Sequence, residues 1–328
     1  MNTILKQRFK KQSLSKQSAY EALMLIGQGK CHTNEMTAFI TSYILQKITV
    51  EELLGFKQAL MDLCIKMDFS DHETIDICGT GGDGKHSFNI STVTGLVLAG
   101  AGYKVTKHGN YGVSSICGSS HVMEYLGYKF TNDEYTLKKQ LESANFCMLH
   151  APLFHPAMKF VAPIRKTLKV KTFFNILGPL VNPSSPNYQL IGVYNLEVAR
   201  LYHYLLQNSS TTYQVIHSLD GYDEISLTGS AKVYSNSNEY ILSPEDFSFK
   251  PIAPSQLKGG QSVKDSAQIL IDILKNDSTK EQKSVVMANT ALAIQTIEPN
   301  KELTECLHIA QASIESGRAY QTLKKICQ

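Results

Sequence analysis

Nowhere in the 328 residues does an apolar run approach a membrane span, which takes about 20 residues, so no membrane partner is expected. The seven cysteines, Cys31, Cys64, Cys78, Cys117, Cys147, Cys306 and Cys327, include no C-x-x-C pair and are odd in number. That argues for buried thiols over a disulfide framework or a zinc site. Excess charge is also scarce. The 32 Lys and Arg against 29 Asp and Glu leave +3, with the lysines dispersed, too little by itself to imply a nucleic-acid partner. The basic stretch Lys6-Gln7-Arg8-Phe9-Lys10-Lys11 is not followed by the apolar core and small-residue cleavage site of an export signal. A cytoplasmic location is therefore expected. What is present, 43% hydrophobic and 19% charged residues, excludes disorder and fibrous repeats, and the length allows two domains with a large core.

Two textures divide the chain. From about Ser15 to Met67 it reads as helices only: Ser18 to Ile26, Asn34 to Gln46 after a Thr33 cap, and Val50 to Met67 after Thr49, with Glu52 at capping-box spacing. Leu53, Phe56, Leu60 and Leu63 share one face of the third. From about Glu73, strand-like runs (Thr74 to Cys78, Tyr103 to Thr106, Tyr188 to Tyr194, Tyr213 to His217) alternate with helical ones. The helical runs lie near 91–101, 196–207, 265–274, 280–297 and 303–316. Such alternation predicts an α/β fold with a mainly parallel central sheet flanked by helices, in which ligands sit beyond the carboxyl ends of the strands. The expected division is a small all-helical domain over residues 1–70, joined by a segment near 155–185, and an α/β domain over 71–328.

The strongest functional signal is Asp76-Ile77-Cys78-Gly79-Thr80-Gly81-Gly82-Asp83-Gly84, followed by Ser87, Asn89, Ser91 and Thr92. A strand stops at four glycines within six residues, then hydroxyl and amide side chains open a helix. Glycine lets backbone N–H groups approach a ligand without a Cβ in the way, and the helix N-terminus adds unpaired N–H groups and the positive end of its dipole. It is not a Walker loop, since Lys85-His86 follows Gly84; Gly79, Gly81 and Gly84 satisfy G-x-G-x-x-G, a weak match alone. Asp83 beside a phosphate is repulsive unless a cation or sugar hydroxyls intervene. A metal-bound or ribose-bearing phosphate ligand is the better fit.

Three further constellations follow. Lys107-His108-Gly109-Asn110-Tyr111-Gly112-Val113-Ser114-Ser115, with Gly118-Ser119-Ser120, offers a cation, glycines and hydroxyls suited to another polyphosphate contact; alone it also reads as a polar surface loop. His108 is given no proton-transfer role. His217-Ser218-Leu219-Asp220-Gly221-Tyr222-Asp223-Glu224 gathers three carboxylates within five positions, costly together unless a cation neutralises them; hard oxygen donors suit Mg²⁺, although an acidic solvated turn has the same composition. Lastly, Ala151 to Met158, Pro163-Ile164-Arg165 and Thr172 to Pro183 set prolines and apolar residues around one arginine, a candidate carboxylate clamp.

Taken together, these segments resemble the anthranilate phosphoribosyltransferase family, in order and at its spacing, from about residue 15 onward. The matching residues are Gly79 to Gly84, Asn89-Ile90-Ser91-Thr92, Lys107-His108-Gly109-Asn110, Ser114-Ser115 with Gly118-Ser119, His155 to Met158, Asn175 to Pro183, and Asp223-Glu224. The resemblance implies a helical domain hinged to an α/β domain, and a homodimer through the small domains. It implies transfer of the 5-phosphoribosyl group from phosphoribosyl pyrophosphate (PRPP) to the amine of anthranilate, releasing pyrophosphate, in L-tryptophan biosynthesis, with Mg²⁺ at two ions per subunit. By position it assigns the PRPP site to Gly79, Gly82, Asp83, Ser87, Asn89, Ile90, Ser91, Thr92, Lys107, His108, Gly109, Asn110, Ser114, Ser115 and Ser119. Anthranilate falls to Gly79, Asn110 and Arg165, and the metal to Ser91, Asp223 and Glu224.

Two positions depart from the family pattern. His121 stands where many relatives carry an acidic residue, and Tyr111 where an arginine often follows Asn110. The first is expected to weaken a turn or helix cap for want of a carboxylate acceptor, the second to remove a cation near the phosphates. The alternatives are a pyrimidine nucleoside phosphorylase and a non-catalytic nucleic-acid-binding relative. Asp223-Glu224 and Asn110 favour the aromatic-amine transferase over the first; a charge of only +3 counts against the second.

Overall fold

Side-chain caps begin two of the four N-terminal helices. In the computed structural model, which describes residues 1–112 and 117–327, the helices are Asn2–Phe9, Lys16–Gly27, Thr33–Leu45 and Val50–Leu63. Ser15 Oγ accepts the Ser18 N–H at 3.2 Å. Thr49 Oγ1 accepts the Glu52 N–H at 3.2 Å while Glu52 Oε2 accepts the Thr49 N–H at 2.9 Å, the reciprocal box expected from spacing. The third helix departs from expectation by one residue. His32 is its cap and Thr33 its first residue, because Glu35 Oε2 accepts the His32 N–H at 2.9 Å.

Glu52 also fastens the first helix to this bundle. Its Oε1 accepts from Arg8 Nη1, the Tyr43 hydroxyl and the Leu14 N–H, each at 2.9 Å. Arg8 and Glu52 are 2% and 0% exposed, a burial that such a pair withstands only when its remaining hydrogen-bonding capacity is also met. Residues 151–185 return to these helices: Phe173 stacks on Phe56 at 4.6 Å and meets Phe39 and Tyr43 edge-on at 6.1 and 5.1 Å. Residues 1–67 and 151–185 accordingly form one compact unit, and 68–150 with 186–328 a second.

The second unit is built on seven strands: β1 (Thr74–Gly79), β2 (Lys104–Gly109), β3 (Phe146–His150), β4 (Tyr188–Gly192), β5 (Thr212–Ser218), β6 (Ala231–Ser235) and β7 (Glu239–Leu242). They lie in the order β3-β2-β1-β4-β5-β6-β7. The first five are parallel, and β6 and β7 close the edge antiparallel. This is the mainly parallel, helix-flanked sheet that the alternation predicts. Three strands were not foreseen: β3 is a fully buried five-residue run with no alternation to read, and β6 and β7 are short edge strands. Helix Lys280–Ile297 is buried on nearly every face, as a helix in the middle of a large core must be.

The chain runs from β1 outward through β2 to β3 and then returns to β4 on the other side of β1. The order therefore reverses between β1 and β4, the point at which sheets of this kind bind ligands, beyond the carboxyl ends of the strands. No helix among the described residues is long and apolar enough to cross a membrane.

Candidate active site

β1 ends at this point of reversal in the glycine loop, and its backbone explains the glycines. Gly81, Gly82 and Gly84 have φ of 63°, 75° and 73°, the left-handed region that other residues resist. Gly79 pairs with Gly192 across β1 and β4, and both face Asp223: a Cβ on Gly79 would lie 2.5 Å from Asp223 Oδ2, and one on Gly192 would overlap the Asp223 carbonyl oxygen. The acidic turn after β5 thus backs directly onto the loop after β1. One hydrogen bond seals the contact, the Gly81 N–H donating to Asp223 Oδ2 at 2.7 Å.

The helix Ile90–Gly100 follows the loop. The Ser91 backbone faces the Glu224 carboxylate, and Lys107 Nζ, on β2, donates to Ile77 O at 2.5 Å and to Ser91 Oγ at 3.1 Å. Lys107 is 2% exposed; it acts as a fixed cation beneath the site. Burial, with repulsion from Asp83, raises the Asp223 pKa well above the usual carboxylate range. Burial and the Asp223 charge do the same to Glu224, against the opposing pull of Lys107 and the Ser91 backbone. Asp83 Oδ2 is buried and has no hydrogen-bond partner, while its Oδ1 accepts the Lys85 N–H at 3.0 Å.

Three carboxylates therefore share one corner with too few donors, the electrostatic setting a divalent cation relieves. The three are not arranged as a cage: among the described residues no group of three or more His, Cys, Asp and Glu side chains is placed to hold a metal ion by itself. A Mg²⁺ ion at this corner would complete its shell with waters and substrate oxygens.

The structure brings Gly79, Gly82, Asp83, Ser91, Lys107, Asp223 and Glu224 together here. Ile90 and Thr92 are buried and shape the helix start rather than exposing side chains. Ser87 bridges to Lys258, where the Phe88 N–H donates to Leu257 O at 3.0 Å. Asn89 Nδ2 donates to Cys117 O at 3.2 Å, and the His108 N–H to Asp76 Oδ1 at 3.1 Å. Gly109 ends β2 against Ser119, whose Oγ would lie 2.6 Å from a Cβ there. Asn110 O accepts from Ser119 Oγ at 3.4 Å and from the Ser120 N–H at 3.2 Å. Ser114 and Ser115 lie outside the described residues. Arg165 lies in the helical unit, partly buried on helix Ala162–Leu168, its guanidinium 5.6 Å from the Phe174 ring centre. Burial lowers its pKa.

One expectation is corrected. His121 does not weaken the start of helix Ser119–Tyr125, because its Nδ1 accepts the Gly118 N–H at 3.2 Å. An imidazole nitrogen carries a lone pair that can accept the N–H a carboxylate would otherwise take. One contact beneath the acidic pair was not foreseen. Asn289, buried in helix Lys280–Ile297, bonds the backbone of Ile225 just after the acidic pair; its only sequence signal is a lone amide in an otherwise apolar, small-residue run.

Residues 71–320 match the family model described as glycosyl transferase family, a/b domain, and residues 2–64 the helical bundle domain of the same family. The anthranilate phosphoribosyltransferase of Cytophaga hutchinsonii is 51% identical over 325 residues, 99% of each chain. This chain belongs to the anthranilate phosphoribosyltransferase family. Solved structures agree in fold. The family's Thermus thermophilus enzyme superposes with a TM-score of 0.92 at 29% identity, covering 99% of this chain and 98% of that one. The Saccharomyces cerevisiae enzyme, in complex with PRPP and Mg, gives 0.91 at 27%, covering 99% and 96%.

Proposed function

We infer that the chain transfers the 5-phosphoribosyl group of PRPP to the amine of anthranilate, giving N-(5-phosphoribosyl)anthranilate and pyrophosphate, in L-tryptophan biosynthesis. The observation that carries the reading is the Gly81 N–H to Asp223 contact, which joins a phosphate-type loop to an acidic pair at the sheet's switch point. Full-length likeness to anthranilate phosphoribosyltransferases supports it.

On this reading the backbone of the glycine loop at Gly82 to Gly84 orients the diphosphate, with Gly79, Ser87, Asn89, Ser91, Lys107, Asn110 and Ser119 around it. Ser91, Asp223 and Glu224 hold Mg²⁺, two ions per subunit, a stoichiometry that calorimetric titration with PRPP would test. When bound, Mg²⁺ supplies positive charge to the departing pyrophosphate. The nucleophile is an aromatic amine, neutral at pH 7, so no protein base has to deprotonate it before attack. The chain's own work is to fix the leaving group among donors already aimed at it. Arg165, with no carboxylate partner among the described residues, takes the carboxylate of anthranilate, and Gly79 and Asn110 contact the same substrate.

A homodimer through the helical unit completes the reading. Leu45 and Phe9 are 86% and 65% exposed on helix ends joined by Gln46 Nε2 donating to Lys11 O at 2.8 Å, apolar surface that a partner would cover. All seven cysteines are free thiols, which supports a cytoplasmic location.

The test is loss of anthranilate fluorescence on adding PRPP and Mg²⁺, with each omitted in turn. Loss that requires every component supports the transferase. No loss from folded protein would overturn it in favour of a phosphorylase-like or binding-only relative.

A further inference from the structure

His121 and Tyr111 hold together the two limbs of the segment that leaves β2 and enters helix Ser119–Tyr125. His121 Nδ1 accepts from both limbs, from the Gly118 N–H at 3.2 Å and from the Gly112 N–H at 3.5 Å. Accepting there places the ring proton on Nε2. The Tyr111 ring lies 4.6 Å from the His121 ring and edge-on to His150 at 4.8 Å, and its hydroxyl donates to Glu124, one turn beyond His121, at 3.2 Å. His150 is itself fixed, by Ser120 Oγ at 2.9 Å and by stacking on Phe130 at 4.3 Å.

The limbs touch through backbone as well. Asn110 O takes the Ser120 N–H and the Ser119 hydroxyl, and a Cβ on Gly118 would overlap Gly112 N. Asn110 and Ser119, placed above among the PRPP contacts, thus sit on opposite limbs of one neck. Their separation is set by whatever closes it.

We propose that His121 and Tyr111 are positioning residues for PRPP, forming a clasp that holds Asn110 and Ser119 in register. The inference rests on the reading of those two residues as PRPP contacts. A neutral imidazole suits the task, since it satisfies two N–H groups without adding negative charge beside a polyphosphate. The aromatic contact couples the pair: Tyr111 holds the plane of the His121 ring, and the ring holds the limb that carries Tyr111.

The experiment measures KM for PRPP, KM for anthranilate and thermal unfolding in His121→Ala, His121→Asn, Tyr111→Ala and the Ala/Ala double variant, beside Ser119→Ala. His121→Ala should raise the PRPP KM roughly 3- to 12-fold, the worth of one hydrogen bond, with a smaller rise in anthranilate KM, since Asn110 is read as a contact of both substrates, and little change in melting temperature. His121→Asn, whose Oδ1 is again an acceptor, should restore most of the affinity. The double variant should be little worse than the more damaging single one, since coupled sites are not additive. Equal losses in His121→Ala and His121→Asn, fully additive effects, or an unchanged PRPP KM while Ser119→Ala weakens binding would overturn the clasp alone. Wild-type PRPP affinity in Ser119→Ala would instead remove the site reading, and the clasp with it.

Discussion

The side-chain amide of Asn289 brackets the backbone of Ile225. Its Oδ1 accepts the Ile225 N–H at 3.0 Å, and its Nδ2 donates to Ile225 O and to Val285 O at 2.8 Å each. Asn289 is 0% exposed on a helix 64 residues further along the chain. From the other side Ser218 Oγ donates to Glu224 O at 2.6 Å, so the backbone on each side of the Glu224–Ile225 peptide is held in place. The backbone that carries the Glu224 carboxylate is therefore anchored by two residues from distant parts of the chain.

Asn289→Ala strands two buried backbone groups, each worth about 1–3 kcal/mol when left unpaired. Urea unfolding should show a loss of about 2–6 kcal/mol for the two together. PRPP affinity in the presence of Mg²⁺ should fall under conditions where the variant is still folded. A destabilised variant with wild-type PRPP affinity would show that the amide serves the core and not the site.

Changing Asp223 to Asn and Glu224 to Gln should abolish most turnover and the response to Mg²⁺, while making the ligand-free chain more stable at neutral pH. The sign follows from the raised pKa values. Folded values above the unfolded ones, about 3.9 for Asp and 4.3 for Glu, favour the fold at low pH; that contribution is lost as pH rises through the folded values. Melting curves without ligand should therefore show wild type losing stability from about pH 4 upward relative to the double variant. Wild-type turnover in the double variant would place the metal elsewhere.

His155 works in the opposite sense. Burial pushes its pKa down to about 4, against the pull of the Val181 carbonyl that its Nε2 meets at 2.8 Å. The unfolded chain takes up the proton near pH 6.5 and the folded chain resists it, so this contribution is full above about pH 6.5 and is lost as pH falls toward 4. Urea unfolding at pH 7 and pH 4.5 should show a larger drop for wild type than for His155→Gln, which keeps a donor for Val181. Equal drops would mean that other groups govern acid stability.

The glycine loop was legible in the sequence because its cause is local. Positive φ at Gly81, Gly82 and Gly84 and the strand-to-helix change around them are written in consecutive residues. So was the pairing of period with element for β1, β2, β4 and β5. What was not legible depends on contacts across the chain: that Asp223 accepts from Gly81, that Asn289 reaches Ile225, and that β3 completes an edge although its five buried residues alternate nowhere. The error at His121 was one of chemistry. Reading the position for a carboxylate overlooked that a neutral ring nitrogen can accept the same N–H.

Arg165 gives the sharpest separation of the two substrates. Its guanidinium is partly buried near the Phe174 ring, and burial without a carboxylate partner among the described residues lowers its pKa, a cost that an anionic ligand would offset. A charge-assisted hydrogen bond contributes about 1.5–3 kcal/mol, so Arg165→Ala should raise the anthranilate KM by roughly 10- to 150-fold. The PRPP KM should stay near its wild-type value, because Arg165 is not among the residues read as the PRPP site. Arg165→Lys should recover only part of the loss, since an ammonium cannot form the paired contacts of a guanidinium. Steady-state kinetics with one substrate varied at a time decide the matter: an unchanged anthranilate KM would sink the assignment, and equal rises in both constants would mean that the arginine supports the fold rather than one ligand.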